Sequence, residues 1–327
     1  LFWFDPPWHW VTATAADAIA TAIGRREVVV TALRRDVMDE SDEPALFQPV
    51  ESEEDDTSEP RFLPRMLPYR CERYGLDVAD FDHAAVIDVR LFATRDATGR
   101  QGYSPQQIQR WEAAPKDQPV AGGGWVPTAP FPPDVPEVVN LKNKLLQLRH
   151  LSPQASLFVS IHAHRLFDEL PQVLGSEPDG VILRFDELAI DGLRLARLVQ
   201  QARTLIEQCG SETLPLWIVP GEITPDDAAK LIHLGASAVA IDSWGQVALE
   251  EVQQWEQQIS SGSTARLRRT DRQTVQRIAS QSLQPKIDRF RGVNATLFGI
   301  AGPTSLATVD PTWARTLNLP QLFPEQG

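Results

Sequence analysis

Short apolar runs alternate with longer amphipathic stretches along the chain, most regularly between residues 155 and 244. Four runs there read as β-strands: 156-SLFVSIHA-163, 180-GVILRF-185, 214-LPLWIVPG-221 and 237-SAVAID-242. Their starts lie 23 to 34 residues apart, the length of one βα unit with its loops. Upstream, 27-EVVVTAL-33 and 84-AAVIDVRLF-92 read as two further strands with β-branched cores. Helices are expected over 13–24, stopped by Gly24, and over 137–150, where Val138, Leu141, Leu145 and Leu148 recur at helical spacing. Two more are expected over 246–259 and 272–300. The pattern predicts one α/β domain over 1–327, a TIM-like (β/α)8 barrel, incomplete or elaborated with long irregular insertions. Only six strands are legible, so an open sheet is the alternative. In both folds function sits at the carboxyl ends of the strands.

Three stretches break the pattern. Residues 39–70 are acidic and proline-bearing and read as a loop insertion, with 51-ESEEDD-56 as a solvated charge run. Residues 95–136 read as a Gly/Pro-rich loop. Its 122-GGGWVPTAPFPP-133 lacks phosphate-loop spacing, and prolines follow where a helix should start. Residues 262–327 read as a C-terminal helical extension, in which Arg266, Arg268, Arg269 and Arg272 mark a solvated helix start. The opening 1-LFWFDPPWHW-10 reads as an aromatic plug on the core, or else as the end of a membrane anchor upstream of Leu1.

Composition narrows the classes of function. A net charge of −13 over 327 residues argues against nonspecific binding to nucleic acid or anionic membrane. Two distant cysteines, Cys71 and Cys209, build neither a disulfide framework nor a CxxC metal site. No run reaches the ~18 apolar residues of a membrane span. A cytoplasmic chain is expected, membrane-associated only through a segment outside it, with self-association or a protein partner.

The strand ends carry the candidate chemistry. His162 and His164 share one side of their strand by alternation, and such a pair suits a proton relay or, with a third ligand, a metal. Asp186, Glu222 and Asp242 end the next three strands and complete the catalytic candidates; no tight metal motif is present, so no metal is assigned. Glu222 precedes a marked helix start, with Thr224 as cap, Pro225 at the first position and Asp226 and Asp227 in the first turn.

The segment 224-TPDDAAKLIHLGASAVAIDSW-244 resembles the last repeat of FMN-binding (β/α)8 barrels. Extending backwards, 153-PQASLFVSIHAH-164 and 179-DGVILRF-185 resemble successive strands of the glutamate synthase flavin-domain family. The resemblance spans residues 153–244 and implies a barrel, FMN and oxidoreductase activity, with Arg184, Gly221 and Ser243 at cofactor-binding positions. The chain departs from the family at its functional positions. His162 stands where the family has lysine, 184-RFDELAIDG-192 replaces a glycine-rich loop, and Asp242-Ser243-Trp244 replaces a small final loop. Glu222, Asp226, Asp227 and Asp242 would ring the phosphate position, where two unit charges 4 Å apart repel by ~4 kcal/mol at an effective dielectric of 20. The reading is therefore a degenerate barrel of this type that has lost FMN and acts as a binding or structural module. FMN-dependent oxidation is the alternative, and a metal- or His-dependent hydrolase or lyase the second.

Overall fold

Alternation along each apolar run decides which side chains enter the barrel. The protein is described by a computed structural model over residues 1–31, 65–70, 78–82, 84–91, 102–103, 126–127, 132, 135–185, 188, 190–260, 269–301, 308 and 310–321. Eight parallel strands form one sheet: β1 (Phe2–Trp3), β2 (Val29–Thr31), β3 (Arg65–Tyr69), β4 (Val86–Arg90), β5 (Ser156–His162), β6 (Gly180–Arg184), β7 (Leu216–Val219) and β8 (Ala238–Val239). They pair in chain order. A parallel bridge from Phe2 to Ala240, just past β8, joins the last strand to the first, and Ile241 N donates to the Phe2 carbonyl at 2.9 Å. A sheet that pairs with itself in this way has no edge, so the barrel is complete, not open.

Two strands account for the shortfall in the sequence reading. β1 lies in the tryptophan-rich opening, and β3 ends the stretch read as the 39–70 loop. In and just after β1, Phe2 and Phe4 point into the barrel, while Trp3 points out under the helices. The opening segment is thus a barrel strand as well as an aromatic filling. The stretch read as a loop over 95–136 contains an antiparallel pairing of Gly102–Tyr103 with Val126–Pro127, and Val135 is buried. The acidic run and the triple glycine lie outside the described residues.

The barrel interior is a layered apolar core. Phe2, Phe4, Met66, Val86, Phe158, Ile182, Val219, Ala238 and Ala240 fill it, with Val29 and Trp217 against them. Phe158 and Phe2 lie against Trp217 at ring-centroid distances of 4.5 and 4.7 Å. Room for Phe158 comes from Gly180, its register partner on β6, where an added Cβ would meet the ring at 2.2 Å. The outward residues of the same strands, such as Ile87, Val89, Leu157, Val159 and Ile161, form the second core with the helices.

The helices are α1 (Ala13–Gly24), α2 (Val78–Phe81), α3 (Leu141–Leu151), α4 (Leu166–Leu174), α5 (Gly192–Gln208), α6 (Pro225–His233), α7 (Asp242–Ser260), α8 (Arg269–Ala301) and α9 (Pro311–Leu317). Helix α8 lies in the stretch expected as a C-terminal helical extension. It packs on α1, α6 and α7 and buries Val275, Ala279, Leu283 and Ile287, so it belongs to the barrel wall. Its polar side is tied down as well: Arg272 pairs with Asp17 at 2.5 Å, and Arg289 grips Asp226 with two 2.7 Å hydrogen bonds. Arg272 is therefore not a solvated helix start, while Arg266 and Arg268 lie outside the described residues. Among the described residues, no helix is long and apolar enough to cross a membrane.

Candidate functional site

Inward positions turn polar toward the carboxyl ends of the strands. On β4 the inward series runs Val86, Asp88, Arg90; on β5 it runs Phe158, Ser160, His162; on β6 it runs Gly180, Ile182, Arg184. Pairing sets these side by side, with Arg90 in register with Ser160 and His162 with Arg184. Arg70 follows β3, and Phe4 and Asp5 follow β1. The carboxyl mouth thus gathers Arg70, Arg90, Arg184 and His162, each under 8% exposed.

A hydrogen-bond chain holds this cluster. Asp88 is completely buried; it accepts from Ser160 Oγ and, at 2.6 Å, from Arg90 Nε. Arg90 Nη1 reaches over to Asp5, at 2.8 Å from Oδ2 and 3.1 Å from Oδ1. Arg70 Nη2 lies 3.5 Å from Asp5 Oδ1. Burial pushes the Asp5 carboxyl up, but the guanidiniums of Arg90 and Arg70 outweigh it, so it titrates below the usual carboxylate range. Burial likewise works against the Arg90 charge, and Asp5 and Asp88 more than restore it. Two cations lie over the Phe4 ring: the Arg90 guanidinium carbon is 4.1 Å from its centroid and that of Arg184 is 5.1 Å away.

His162 completes the mouth as a neutral group. Burial, then the nearby Arg184 charge, then His164 drive its pKa down from 6.5 to about 2. The sequence placed both histidines on one strand face. Instead β5 ends at His162, and His164 sits in a 3-10 turn, Ala163–Arg165, where it is exposed. The two rings still lie 5.4 Å apart. Glu222 is exposed on the turn before α6. Asp242 starts α7 and accepts from Phe4 N at 2.8 Å, which ties it to the closure of the barrel. Asp186 lies outside the described residues. Among the described residues, no group of three His, Cys, Asp or Glu side chains could hold a metal.

The loops after β7 and β8 are where a barrel holds a phosphate, on backbone N–H groups and a helix N-terminus. The residues present do not fit an FMN phosphate there. Thr224 Oγ1 already accepts from Asp227 N at 3.2 Å, and Pro225 has no N–H to offer. The carboxylates of Asp226 and Asp227 occupy the first turn of α6, and that of Asp242 opens α7. Trp244, expected to crowd the loop, is buried, and its Nε1 donates to the Ile223 carbonyl at 2.7 Å, bridging the two loops. Two features do suit an anion here. Gly221 takes a left-handed backbone at φ 82, and the buried Ser243 Oγ has no hydrogen-bond partner among the described residues.

Sequence reasoning found His162 and Arg184 because they end strands. It missed Phe4, Asp5, Arg70, Asp88, Ser160 and Arg90. One signal was available: Asp88 and Arg90 are charges two apart within an otherwise apolar strand, which puts both on one face.

No protein-family model matches the chain, and neither does any curated protein. Solved structures of similar outline include a mandelate oxidase variant, at TM-score 0.49 and 12% identity, covering 92% of this chain and 75% of that one. A chimera of (S)-mandelate dehydrogenase gives 0.47 and 16%, covering 93% and 78%. The flavin-binding domain of baker's yeast flavocytochrome b2 gives 0.47 and 12%, covering 95% and 67%. The likeness is one of outline, and the closed strand order carries the barrel assignment. None of the comparisons shows the glutamate synthase family.

Proposed function

We propose that this barrel binds a small organic anion, a carboxylate or phosphate monoester, at its carboxyl mouth. The observation that carries the reading is the convergence of buried Arg90 and Arg184 over Phe4, with Arg70 beside them at Asp5, next to a neutral imidazole. Asp5 and Asp88 hold the Arg90 guanidinium in place, and a buried arginine fixed in this way suits recognition of a carboxylate or phosphate. Arg184 adds its guanidinium to those of Arg70 and Arg90 at the mouth. His162, neutral and in register with it, offers hydrogen bonding to an adjacent hydroxyl or carbonyl group.

The second reading is flavin-dependent oxidation of such an anion. The left-handed Gly221 and the buried Ser243 hydroxyl favour it, as they leave one donor and one tight turn beside the β7 and β8 loops. The acidic α6 start and the Trp244–Ile223 hydrogen bond weigh against it. The oxidase and dehydrogenase names of the structures of similar outline belong to those proteins.

Calorimetric titration with acetate, inorganic phosphate and FMN separates the readings. Binding of a small anion that Arg184→Ala weakens by about tenfold or more supports the mouth site, since losing a charge-assisted partner typically costs that much. FMN that stays bound through desalting and colours the protein supports the flavin reading. Small-anion binding unchanged in Arg184→Ala contradicts the mouth assignment.

A further inference from the structure

Asp5 sits at the carboxyl mouth among the guanidiniums of Arg70, Arg90 and Arg184. Its carboxylate takes both Oδ contacts from Arg90 Nη1 and lies 3.5 Å from Arg70 Nη2, and the Arg184 charge also acts on it. Unlike the arginines around it, its side chain is a quarter exposed, so it meets the mouth's solvent side. The backbone delivers it from both directions. Phe4 N is held by Asp242 just before it, and Pro6 and Pro7 restrict the chain just after it. A carboxylate fixed in this way competes with an outside anion at high effective concentration.

We propose that Asp5 is a built-in occupant of the anion site. Its carboxylate, carried by the strand that closes the barrel, takes guanidinium donors that an external carboxylate or phosphate would otherwise use, and so sets the affinity of the mouth. The inference rests on the anion-binding reading above. Asp88 does not share this role: it is fully buried, engaged from below by Ser160 and Arg90, and out of reach of the solvent. Asp88 fixes the direction of Arg90, while Asp5 covers the end that points outward.

The test uses the full chain with Asp5→Ala, and with Asp5→Asn in reserve should the alanine variant not fold. Acetate and inorganic phosphate are the probes, read by calorimetry and by the shift in Tm. A self-occupied site predicts that removing the carboxylate tightens binding of either probe by about tenfold or more. It also predicts that acetate raises the Tm of the variant by more than that of the parent, because the added carboxylate refills the gap. If the parent binds the probes but the variant binds them no tighter and acetate shifts both Tm values equally, Asp5 is a structural counter-ion and the inference fails, leaving the anion reading in place. If neither protein binds either probe, both the inference and the anion reading fail.

Discussion

A buried imidazole beside a guanidinium keeps one protonation state across the physiological range, and that has a cost in acid. His162 is 2% exposed, and burial, with Arg184 and His164 adding to it, holds its pKa at about 2. The unfolded chain takes up the proton near pH 6.5, whereas the folded chain refuses it down to about 2. Between those values the unfolded state binds more protons, so stability falls as pH falls, by at most about 1.4 kcal/mol per pH unit from this one group. Urea unfolding at stepped pH between 6.5 and 4 should therefore show a shallower loss for His162→Gln than for the parent. Parallel slopes would place His162 in contact with water. The sequence made this residue visible by its place at a strand end, but not its charge state. That state depends on Arg184, which pairing brings alongside across 22 residues of chain.

At the level of elements, the fold was legible where apolar runs were long and regular. Strands β5 to β7 appear within a residue or two of their expected places, and β8 keeps only Ala238–Val239 of the run expected over 237–242. Strand β1 was hidden because its ladder is two residues long, and its aromatic flanks read equally well as a plug. Strand β3 was hidden because Pro68 breaks the donor pattern that marks an inner strand. Packing inside the barrel depends on pairs of elements that sequence does not show. Gly180 on β6 leaves space for Phe158 on β5, where an alanine Cβ would lie 2.2 Å from the ring. Phe158 is 4% exposed and backed by Trp217, so it has little freedom to move aside. Gly180→Ala should therefore lower stability by about 1–3 kcal/mol, as overpacking does. An unchanged urea midpoint would mean that Phe158 does not fill the barrel interior.

At the scale of the whole molecule, closure of the sheet and assembly of the mouth are one event. Phe2 completes the ring with Ala240, and the residues that follow β1 bring Phe4 under Arg90 and Arg184 and set Asp5 on Arg90. The barrel class was legible from the βα spacing; the site was not, because it joins residues from β1, β3, β4, β5 and β6 that no local motif connects. A barrel of this shape supports many chemistries, so the mouth's own residues must carry the functional claim. The most direct check is anomalous diffraction from crystals soaked in selenate, an anion located by its own scattering. The account predicts a peak within hydrogen-bond reach of the Arg184 and Arg90 guanidiniums, above Phe4. A peak only at Ser243 and Gly221, or none near the arginines, would contradict it.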